Sequence, residues 1–544
     1  MPIRKVIIEN FKKIKNKFEV ELNDRLNILV GNNGVGKSTI LEAINVALTG
    51  YYDGQSIKRG LSQDLFNKEV VDDYLKSFRN GQQQEPPEIR VTVQGFSAGK
   101  QEGSRDTGRE IDERIDEWEV KFEIKMNNAY EQEYREFIAS GKVLSLPVEF
   151  YDVYWSDSSG KQMLPRSSPV KSVMVDSSKF RYYSGSGSYI SQASKDLFDE
   201  RQRALLLQAY RKNMDNIRSE KIITTINQDI QRKQTILNGE ISLNVDFCTK
   251  DEWESILVTC VDGIPFNLLG KGEQCILKTE IALSKDSSRN LLLLEEPENH
   301  LSFSNLGSLV GAIQKKFEGK QIIISTHSSF VANKLGLENL ILISSDRQIH
   351  MKDLKSADFF RKIPGYDTLR MLLCKRAILV EGPSDELIVQ KAYMSEHDGR
   401  LPIEDQVDVI SVGMAFENFL EIAEKLNCKV AVVTDNDGNP ESVMKKYKKY
   451  SGSNCIKIYY DPEVDEGGMS GAKNFNYNTL EPKLFKANDR NLALFNEILG
   501  KKYENEDDLL KMMCRSKTKV ALAVFSTEKP FKFPNYIMKA VKDA

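Results

Sequence analysis

The segment GNNGVGKST at residues 31–39 constrains the fold of this 544-residue chain more than any other feature. It matches the phosphate-loop pattern GxxxxGK[ST], follows the apolar strand pattern RLNILV and precedes the helical pattern KSTILEAINVAL. In this context the backbone N–H groups of the loop point at phosphates bound at a helix N-terminus. The sequence therefore predicts an α/β domain with a nucleotide site formed by Gly31, Asn32, Asn33, Gly34, Gly36, Lys37, Ser38 and Thr39.

The segment LLLLEEPENHL at residues 291–301 is the expected partner of this loop. Four consecutive leucines predict a central buried strand, and the carboxyl ends of such strands are where sheets bind ligands. We expect Lys37 to reach the β- and γ-phosphates, and Ser38 and Glu295 to hold Mg²⁺, Glu295 through water. Glu296 is expected to polarise the attacking water.

Two further segments, LGKGEQ (269–274) and STHS (325–328), make the first part of the chain resemble ABC-type ATPases of the SMC class. The resemblance implies a degenerate signature motif contributed by Gly270, Gly272 and Glu273. It also implies that His327 senses the γ-phosphate, although taken alone this residue would be a structural histidine. In that class the signature of one subunit covers ATP bound to the other, which implies a dimer.

A second group of acids follows two later strand patterns, ILVEGPSDE (378–386) and VVTDNDG (432–438). Glu381 lies at one strand tip, and Asp385 or Glu386 lies in the helix that follows it. Asp435 and Asp437 lie at the other tip, where positions i and i+2 of an extended chain point the same way. Carboxylates without histidine or cysteine favour Mg²⁺ or Mn²⁺.

Together with Gly413 in SVGM, these motifs resemble a Toprim domain. The order ABC ATPase then Toprim resembles the OLD (overcoming lysogenisation defect) family of endonucleases, which includes the nuclease subunit of Gabija antiphage defence and effectors of some retrons. The resemblance implies an α/β fold with an ABC-type ATPase domain at 1–365 and a Rossmann-like Toprim domain at 366–544. A helical dimerisation insert is expected at about 190–240.

Two late segments add residues that the same resemblance implies. Within NTLEPKLF (478–485), Glu481 would be a further metal ligand, and within SKTKVALAVF (516–525), Lys517 would stabilise charge on the scissile phosphate. Lys519 is the rival for that role, and either lysine taken alone would be a solvated surface residue. Two divalent ions about 4 Å apart would activate water and stabilise the leaving oxygen.

Basic and aromatic residues alternate in MKKYKKY (444–450) and in KPFKF (529–533). Such segments hold phosphates and stack unpaired bases. For the first segment, a solvated amphipathic helix face is the open alternative. Because the net charge is −3, binding of nucleic acid would depend on local patches of this kind.

The helical pattern after residue 195 carries periodic apolar residues, and it is either an insert that packs on its own domain or a dimerisation arm. It is too short for a long coiled coil. The segment YYSGSGSYIS (182–191) is expected to be a hinge, and NGQQQEPPE (80–88) and the polar segment 97–119 are expected to be exposed loops.

Composition limits the cellular setting. Seven scattered cysteines without a CxxC pair favour reduced thiols in the cytosol and argue against a zinc site. No run of eighteen apolar residues predicts a membrane span, and the N-terminus lacks a signal-peptide layout, so a cytoplasmic protein without a membrane partner is expected.

The resemblance implies an ATP-regulated, metal-dependent DNA endonuclease in antiphage defence, with ATP and Mg²⁺ as cofactors and Mn²⁺ as an option at the Toprim site. Expected partners are DNA, further copies of the chain, and a defence protein such as a helicase-like protein or a reverse transcriptase with its RNA. The main alternative is an SMC-like repair ATPase whose Toprim domain binds DNA without cleaving it. Topoisomerase, primase and transport-ATPase functions lack supporting motifs.

Overall fold

The computed structural model describes residues 1–79, 85–98, 115–139, 144–176, 200–233, 260–283, 290–315, 319–344, 348–356, 359, 366–466 and 475–544. The chain divides into two compact units. The first unit comprises residues 1–335 and 343–348, and the second comprises residues 336–342 and 349–544.

The strands in chain order are β1 (Ile3–Glu9), β2 (Phe18–Glu21), β3 (Leu26–Val30), β4 (Tyr51–Tyr52), β5 (Gln55–Ser56), β6 (Ile89–Ala98), β7 (Ile115–Met126), β8 (Tyr151–Ser156), β9 (Ser172–Asp176), β10 (Cys260–Val261), β11 (Ile264–Pro265), β12 (Leu291–Glu295), β13 (Gln321–Ser325), β14 (Leu340–Ile343), β15 (Gln348–His350), β16 (Arg376–Val380), β17 (Val407–Ser411), β18 (Lys429–Val433) and β19 (Ile456–Tyr459).

The helices in chain order are α1 (Lys37–Thr49), α2 (Lys68–Arg79), α3 (Glu131–Ala139), α4 (Glu200–Arg218), α5 (Lys221–Lys233), α6 (Lys271–Leu283), α7 (Phe303–Lys315), α8 (Ser329–Leu335), α9 (Tyr366–Leu373), α10 (Pro383–Glu396), α11 (Phe416–Leu426), α12 (Pro440–Lys446), α13 (Leu480–Ala487), α14 (Leu492–Leu499), α15 (Glu506–Arg515), α16 (Lys517–Ser526) and α17 (Asn535–Asp543).

One sheet of the first unit is antiparallel and has the order β2-β1-β6-β7-β8. Its strands alternate buried and more exposed residues, as in IRKVIIE of β1, because one face of such a sheet covers the core while the other faces water. The polar segment 97–119 was expected to be an exposed loop. That expectation is wrong at its two ends, because residues 97–98 continue β6 and residues 115–119 begin β7.

The second large sheet has the order β15-β14-β3-β13-β12-β9, and β3, β13, β12 and β9 are parallel. The segments LNILV, LLLLE and QIIIS are buried throughout, as expected for parallel strands covered on both faces. Parallel alignment brings the ends of β3 and β12 to one edge, which is the edge that carries the phosphate loop and Glu295. The sequence motifs did not identify β9.

The second unit contains a parallel four-stranded sheet of order β17-β16-β18-β19. The chain places β17 on one side of β16 and β18 on the other, so the strand order reverses between β16 and β18. Ligands of open α/β sheets bind at such a switch point, beyond the carboxyl ends of the strands. Helices α13 to α17 extend the core, with Leu484, Val520 and Ile537 buried in the same cluster as Ile378.

Helices α4 and α5 lie within the predicted insert at about 190–240. They expose several large apolar side chains, namely Leu205, Leu206, Ile217, Ile222 and Ile226. The predicted hinge at 182–191 lies outside the described residues. In the described part of the chain, no helix combines the length and the apolar character needed to span a bilayer.

Candidate functional site

The phosphate loop joins the end of β3 to the start of α1. Gly31 has no room for a side chain, because a Cβ there would lie 2.4 Å from the carbonyl oxygen of Ile343. Gly34 and Gly36 have φ of 80° and 103°, a left-handed conformation that glycine adopts at least cost. Since α1 begins directly after Gly36, the free N–H groups and the positive dipole end of its first turn lie at the loop. This backbone fits a phosphate group.

Lys37 is enclosed by the same loop. It is 5% exposed, and its Nζ donates hydrogen bonds to the carbonyl oxygens of Gly31 at 2.8 Å and Asn32 at 3.1 Å. Burial lowers its pKa, and the nearby carboxylates of Glu296 and Glu298 act in the opposite direction. Among the other predicted loop residues, Thr39 is buried, Ser38 is half-buried, and Asn32, Asn33 and Gly34 are exposed.

Two acids mark the end of β12. Glu295 is its last residue, is 8% exposed, and pairs in register with Ser325 of β13. Glu296 has a φ of 43°, a left-handed conformation that is uncommon for residues other than glycine and occurs at functional sites. Its carboxylate accepts a hydrogen bond from Asn299 at 2.8 Å and lies 3.4 Å from Nε2 of His327. The structure thus brings the predicted Glu296 and His327 into contact, and their roles stay predictions.

Glu298, which no sequence motif identified, holds the loop that carries His327. One carboxylate oxygen, Oε1, accepts hydrogen bonds from the Thr326 hydroxyl at 2.7 Å and from the backbone N–H groups of His327 at 2.8 Å and Ser328 at 3.2 Å. These bonds fix the backbone of His327 beside Glu296. Burial is the main cause of a lowered pKa at His327, which favours a neutral imidazole there.

The predicted signature residues lie at the start of α6. This helix begins at Lys271, so the last four residues of LGKGEQ form its first turn instead of preceding it. The Glu273 carboxylate accepts a hydrogen bond from the Gly270 N–H at 3.2 Å. Gly272 packs against the loop after β12, since a Cβ there would lie 2.5 Å from the carbonyl oxygen of His300. The contacts described for these signature residues do not involve the phosphate loop.

In the second unit, the acids that follow β16 and β18 are neighbours. The Glu381 carboxylate accepts hydrogen bonds from the Thr434 hydroxyl at 2.6 Å and from the backbone N–H of Asp435 at 3.2 Å. Both residues belong to the carboxyl edge at the switch point, as the motifs predicted. The Asp435 carboxylate in turn accepts a hydrogen bond from the N–H of Leu480, which brings the start of α13 to this edge.

Crowding of like charges is visible in the pKa values of the group. Burial, followed by the charges of Glu381 and Glu481, raises the pKa of Asp385 to about 6. Burial, followed by the charges of Asp385 and Glu381, raises the pKa of Asp435 well above its ordinary value. Tyr536, a residue that no motif identified, is buried next to the group, and burial and the charge of Asp435 raise its pKa.

Glu481 and Lys517 form an ion pair beside these acids. Glu481 is 2% exposed in the first turn of α13, and its Oε2 lies 3.3 Å from Nζ of Lys517, the first residue of α16. Burial would lower the pKa of Lys517, but the charges of Glu481, Asp435 and Asp385 outweigh it and raise the pKa. Lys517 and Lys519 are both exposed, but the ion pair with Glu481 makes Lys517 the better candidate for a positive charge at the site.

Two other acids named by the motifs lie apart from this group. Glu386 lies 3.8 Å from Arg370, so Asp385 and not Glu386 is the helix acid that faces the group. Asp437 is exposed and accepts a hydrogen bond from Asn476 at 2.9 Å. The expectation of an extended chain at positions 435–437 is wrong, because β18 ends at Val433 and Asp437 has a φ of 46°. The role of Asp437 as a ligand stays a prediction.

The residues of this group fit a divalent cation by chemistry and charge, since carboxylate oxygens are the ligands that Mg²⁺ and Mn²⁺ prefer. Among the described residues, however, no set of three or more His, Cys, Asp or Glu side chains is already arranged around one point. Backbone N–H groups hold one oxygen of Asp385, Asp435 and Glu381.

Of the two basic–aromatic segments, 444–450 does not offer its rings for stacking. Tyr447 is 4% exposed and Tyr450 is 2% exposed, while the lysines of the segment are exposed. The expectation that these tyrosines stack on bases is wrong, because their rings pack into the unit, and the amphipathic alternative describes the segment. In 529–533, Phe531 is half-buried and Phe533 is 9% exposed.

Comparison with known proteins defines the class of protein first: an ATPase domain followed by a Toprim domain. Residues 1–332 match the family described as AAA ATPase domain. Residues 372–437 match the family described as overcoming lysogenization defect protein-like, TOPRIM domain. The chain belongs to the AAA ATPase domain family and, through its second match, is an ATPase–Toprim fusion of the OLD type. The resemblance and the α/β fold class predicted from the sequence are confirmed.

Individual relatives are similar to parts of the chain. Structural maintenance of chromosomes protein 6 of Saccharomyces cerevisiae is 40% identical over 73 residues, which is 13% of this chain and 6% of the yeast protein. The SMC head domain from Thermotoga maritima has a TM-score of 0.30 at 13% identity and covers 64% of this chain and 99% of its own. The Smc head domain from Pyrococcus furiosus has a TM-score of 0.33 at 15% identity and covers 67% of this chain and 100% of its own.

Proposed function

We propose that this chain is an ATP-regulated, divalent-metal-dependent DNA endonuclease that acts as an antiphage defence effector in the cytoplasm. The observation that supports this best is the group formed by Glu381, Asp385, Asp435 and Glu481 at the switch point of the second unit. Four carboxylates gathered with a lysine are costly to maintain without a cationic ligand. In this proposal residues 1–365 form the ATPase domain and residues 366–544 form the nuclease domain.

In the nuclease site, bound Mg²⁺ or Mn²⁺ would activate water and neutralise the phosphodiester. Glu381, Asp385 and Asp435 would bind the ions, with Asp437 completing the set. Glu481 would position Lys517 and share in binding the ions. The ammonium group of Lys517 would then stabilise the negative charge that develops on the phosphate.

In the ATPase site, the loop of residues 31–39 would bind the triphosphate, with Lys37 on the β- and γ-phosphates and Ser38 and Glu295 on Mg²⁺. Glu296 would orient the attacking water, and His327 would contact the γ-phosphate. Gly270, Gly272 and Glu273 would cover ATP bound to a second copy, with α4 and α5 supporting the dimer. ATP binding would thereby change the access of DNA to the nuclease site.

A defence partner, either a helicase-like protein or a reverse transcriptase with its RNA, would provide the trigger for DNA cleavage.

The test is cleavage of supercoiled plasmid by the wild-type protein and by Asp435→Ala, with Mg²⁺ or Mn²⁺ and with or without ATP. We expect nicking or linearisation by the wild type, suppression by a chelator, and loss of at least about 100-fold in the variant. Glu441→Ala, which removes an exposed acid from α12, is the control and should cleave normally. Equal nicking by wild type and Asp435→Ala would refute the site. DNA binding without any cleavage would favour the SMC-like repair ATPase instead.

A further inference from the structure

Two cysteine thiols meet at the end of the second unit's sheet that is opposite to its acids. Cys374 lies two residues before β16, and Cys428 lies directly before β18. Their Sγ atoms are 3.7 Å apart, at hydrogen-bonding distance for sulfur. Glu381 and Asp435 follow the other ends of the same two strands, so the thiols and the acids are separated by the length of a strand.

The pairing of β16 and β18 brings the two cysteines together. Arg376 of β16 pairs with Lys429 of β18 in parallel register, so the segments that precede the two strands run side by side, and each cysteine lies in one of these segments. The Cys428 Sγ also lies 3.3 Å from the carbonyl oxygen of Lys375. The 3.7 Å between the two Sγ atoms has to shorten to about 2.05 Å for a disulfide to form.

The two thiols have different environments. Cys428 is 6% exposed, and the hydrogen bond between the thiols lowers the pKa of Cys428, while the same bond and burial raise the pKa of Cys374. Cys374 is half-buried and is the member of the pair that solvent reaches. Cys455, by contrast, contacts the hydroxyl of Ser453 at 3.3 Å, and Cys260 is exposed. These two cysteines provide comparisons within the same chain.

We propose that Cys374 and Cys428 are a modification site at which a reversible intramolecular disulfide forms. In the reaction both S–H bonds break, one S–S bond forms, and two electrons and two protons pass to a disulfide oxidant such as oxidised glutathione, which leaves as two reduced molecules. The bond closes a loop from 374 to 428 that contains α10, β17 and α11. Because cross-links of this kind restrict the unfolded chain, oxidation stabilises the second unit without touching its acids.

The test uses the full chain, purified in the reduced state and then incubated with oxidised glutathione. Peptide mapping under non-reducing conditions should identify a 374–428 cross-link in the wild type and in the control Cys455→Ser. It should be missing from Cys374→Ser and from Cys428→Ala. The second unit of the oxidised wild type should melt about 5–10 °C higher than that of the reduced protein, and a reductant should reverse the shift.

Absence of the 374–428 peptide from the oxidised wild type would overturn the proposal, whatever the variants do, because this measurement does not depend on how a variant folds. An unchanged melting temperature in protein that carries the cross-link would overturn the stabilising role. Cleavage of plasmid is a separate readout. It should stay within about twofold of the reduced protein, because the bond lies at the opposite strand ends from Glu381 and Asp435.

Discussion

The two candidate sites of this chain differ in whether backbone or side-chain groups form them. The phosphate loop is a backbone site, in which glycines, a helix start and one lysine held by carbonyl oxygens leave N–H groups facing the place of the ligand. The acidic site is a side-chain site, in which carboxylates from strand tips and helix starts raise one another's pKa. The first is arranged before its ligand arrives. The second needs positive charge to become favourable.

This difference determines how each site should respond to substitution. In the phosphate loop, removal of the single cation leaves the backbone cradle in place but without its charge. In the acidic site, removal of one acid both deletes a ligand and relieves repulsion among the others. At the acidic site, loss of one acid should therefore lower activity and raise the stability of the cation-free protein.

The largest effect is expected for Lys37→Ala. Loss of the ammonium group from the β- and γ-phosphates should reduce ATP hydrolysis by at least about 100-fold. Phosphate release at saturating ATP is the measurement, and Lys58→Ala, which changes an exposed lysine, is the control. Any effect of ATP on DNA cleavage should disappear with the hydrolysis. Hydrolysis at the wild-type rate would show that the loop is not the nucleotide site.

A smaller effect is expected when Lys517 is replaced, and it distinguishes this lysine from its rival. Because Nζ of Lys517 lies 3.3 Å from Glu481, Lys517→Ala should reduce DNA cleavage about 10- to 100-fold. Lys519→Ala changes an exposed residue two positions away and should cleave within about twofold of wild type. Plasmid cleavage rates at fixed Mg²⁺ decide between them, with the melting temperature of the second unit as the check that both variants fold. The reverse order of effects would assign the role to Lys519.

Much of this architecture follows from patterns that are local in the sequence. The parallel strands β3 and β12 are mostly apolar and are buried along their whole length. Glycine or acidic residues mark where they end, so the edge that binds ligands can be located from the chain alone. The same reasoning predicted that Glu381 and Asp435 would be neighbours. In the structure, the Glu381 carboxylate accepts a hydrogen bond from the backbone N–H of Asp435.

Contacts between distant loops leave no such pattern. Glu298 is one acid in EEPEN, and its bonds to residues 326–328 depend on the adjacency of β12 and β13. Tyr536 reaches the acids through the fold of the C-terminal helices, which periodicity does not specify. For Asp437, the left-handed turn after β18 replaced the extended chain that the spacing suggested. Local rules fail where a functional loop leaves the strand.

A moderate effect is expected for Glu298, and it tests whether this residue acts through His327. Glu298→Gln retains size but loses the charge that strengthens three hydrogen bonds. We expect kcat for ATP hydrolysis to fall about 10-fold with little change in KM. In the His327→Ala background the same substitution should cost at most about twofold, because the group that it positions is already missing. Additive effects of the two substitutions would mean that Glu298 acts independently of His327.

The smallest effect is expected for the stability of the acidic site. The raised pKa of Asp435 means that its ionisation opposes folding when no cation is bound. The penalty is absent below the ordinary aspartate pKa near 4 and grows as pH rises above it. With a chelator at pH 8, Asp435→Asn should therefore melt above wild type by about 2–4 °C, or about 1 kcal/mol.

Addition of Mg²⁺ should reverse this order, because a cation that binds the folded wild type stabilises it by mass action, while the variant has lost a ligand. Differential scanning calorimetry measures the melting temperature of both proteins at pH 5 and at pH 8, each with chelator and with Mg²⁺. In the chelator, the excess of the variant's melting temperature over that of wild type should be smaller at pH 5 than at pH 8. Asp435→Asn could instead be less stable than wild type in the chelator. In that case the hydrogen bond that the Asp435 carboxylate accepts from Leu480 would stabilise the fold more than repulsion between the acids destabilises it. The acidic site would then be a preformed site like the phosphate loop.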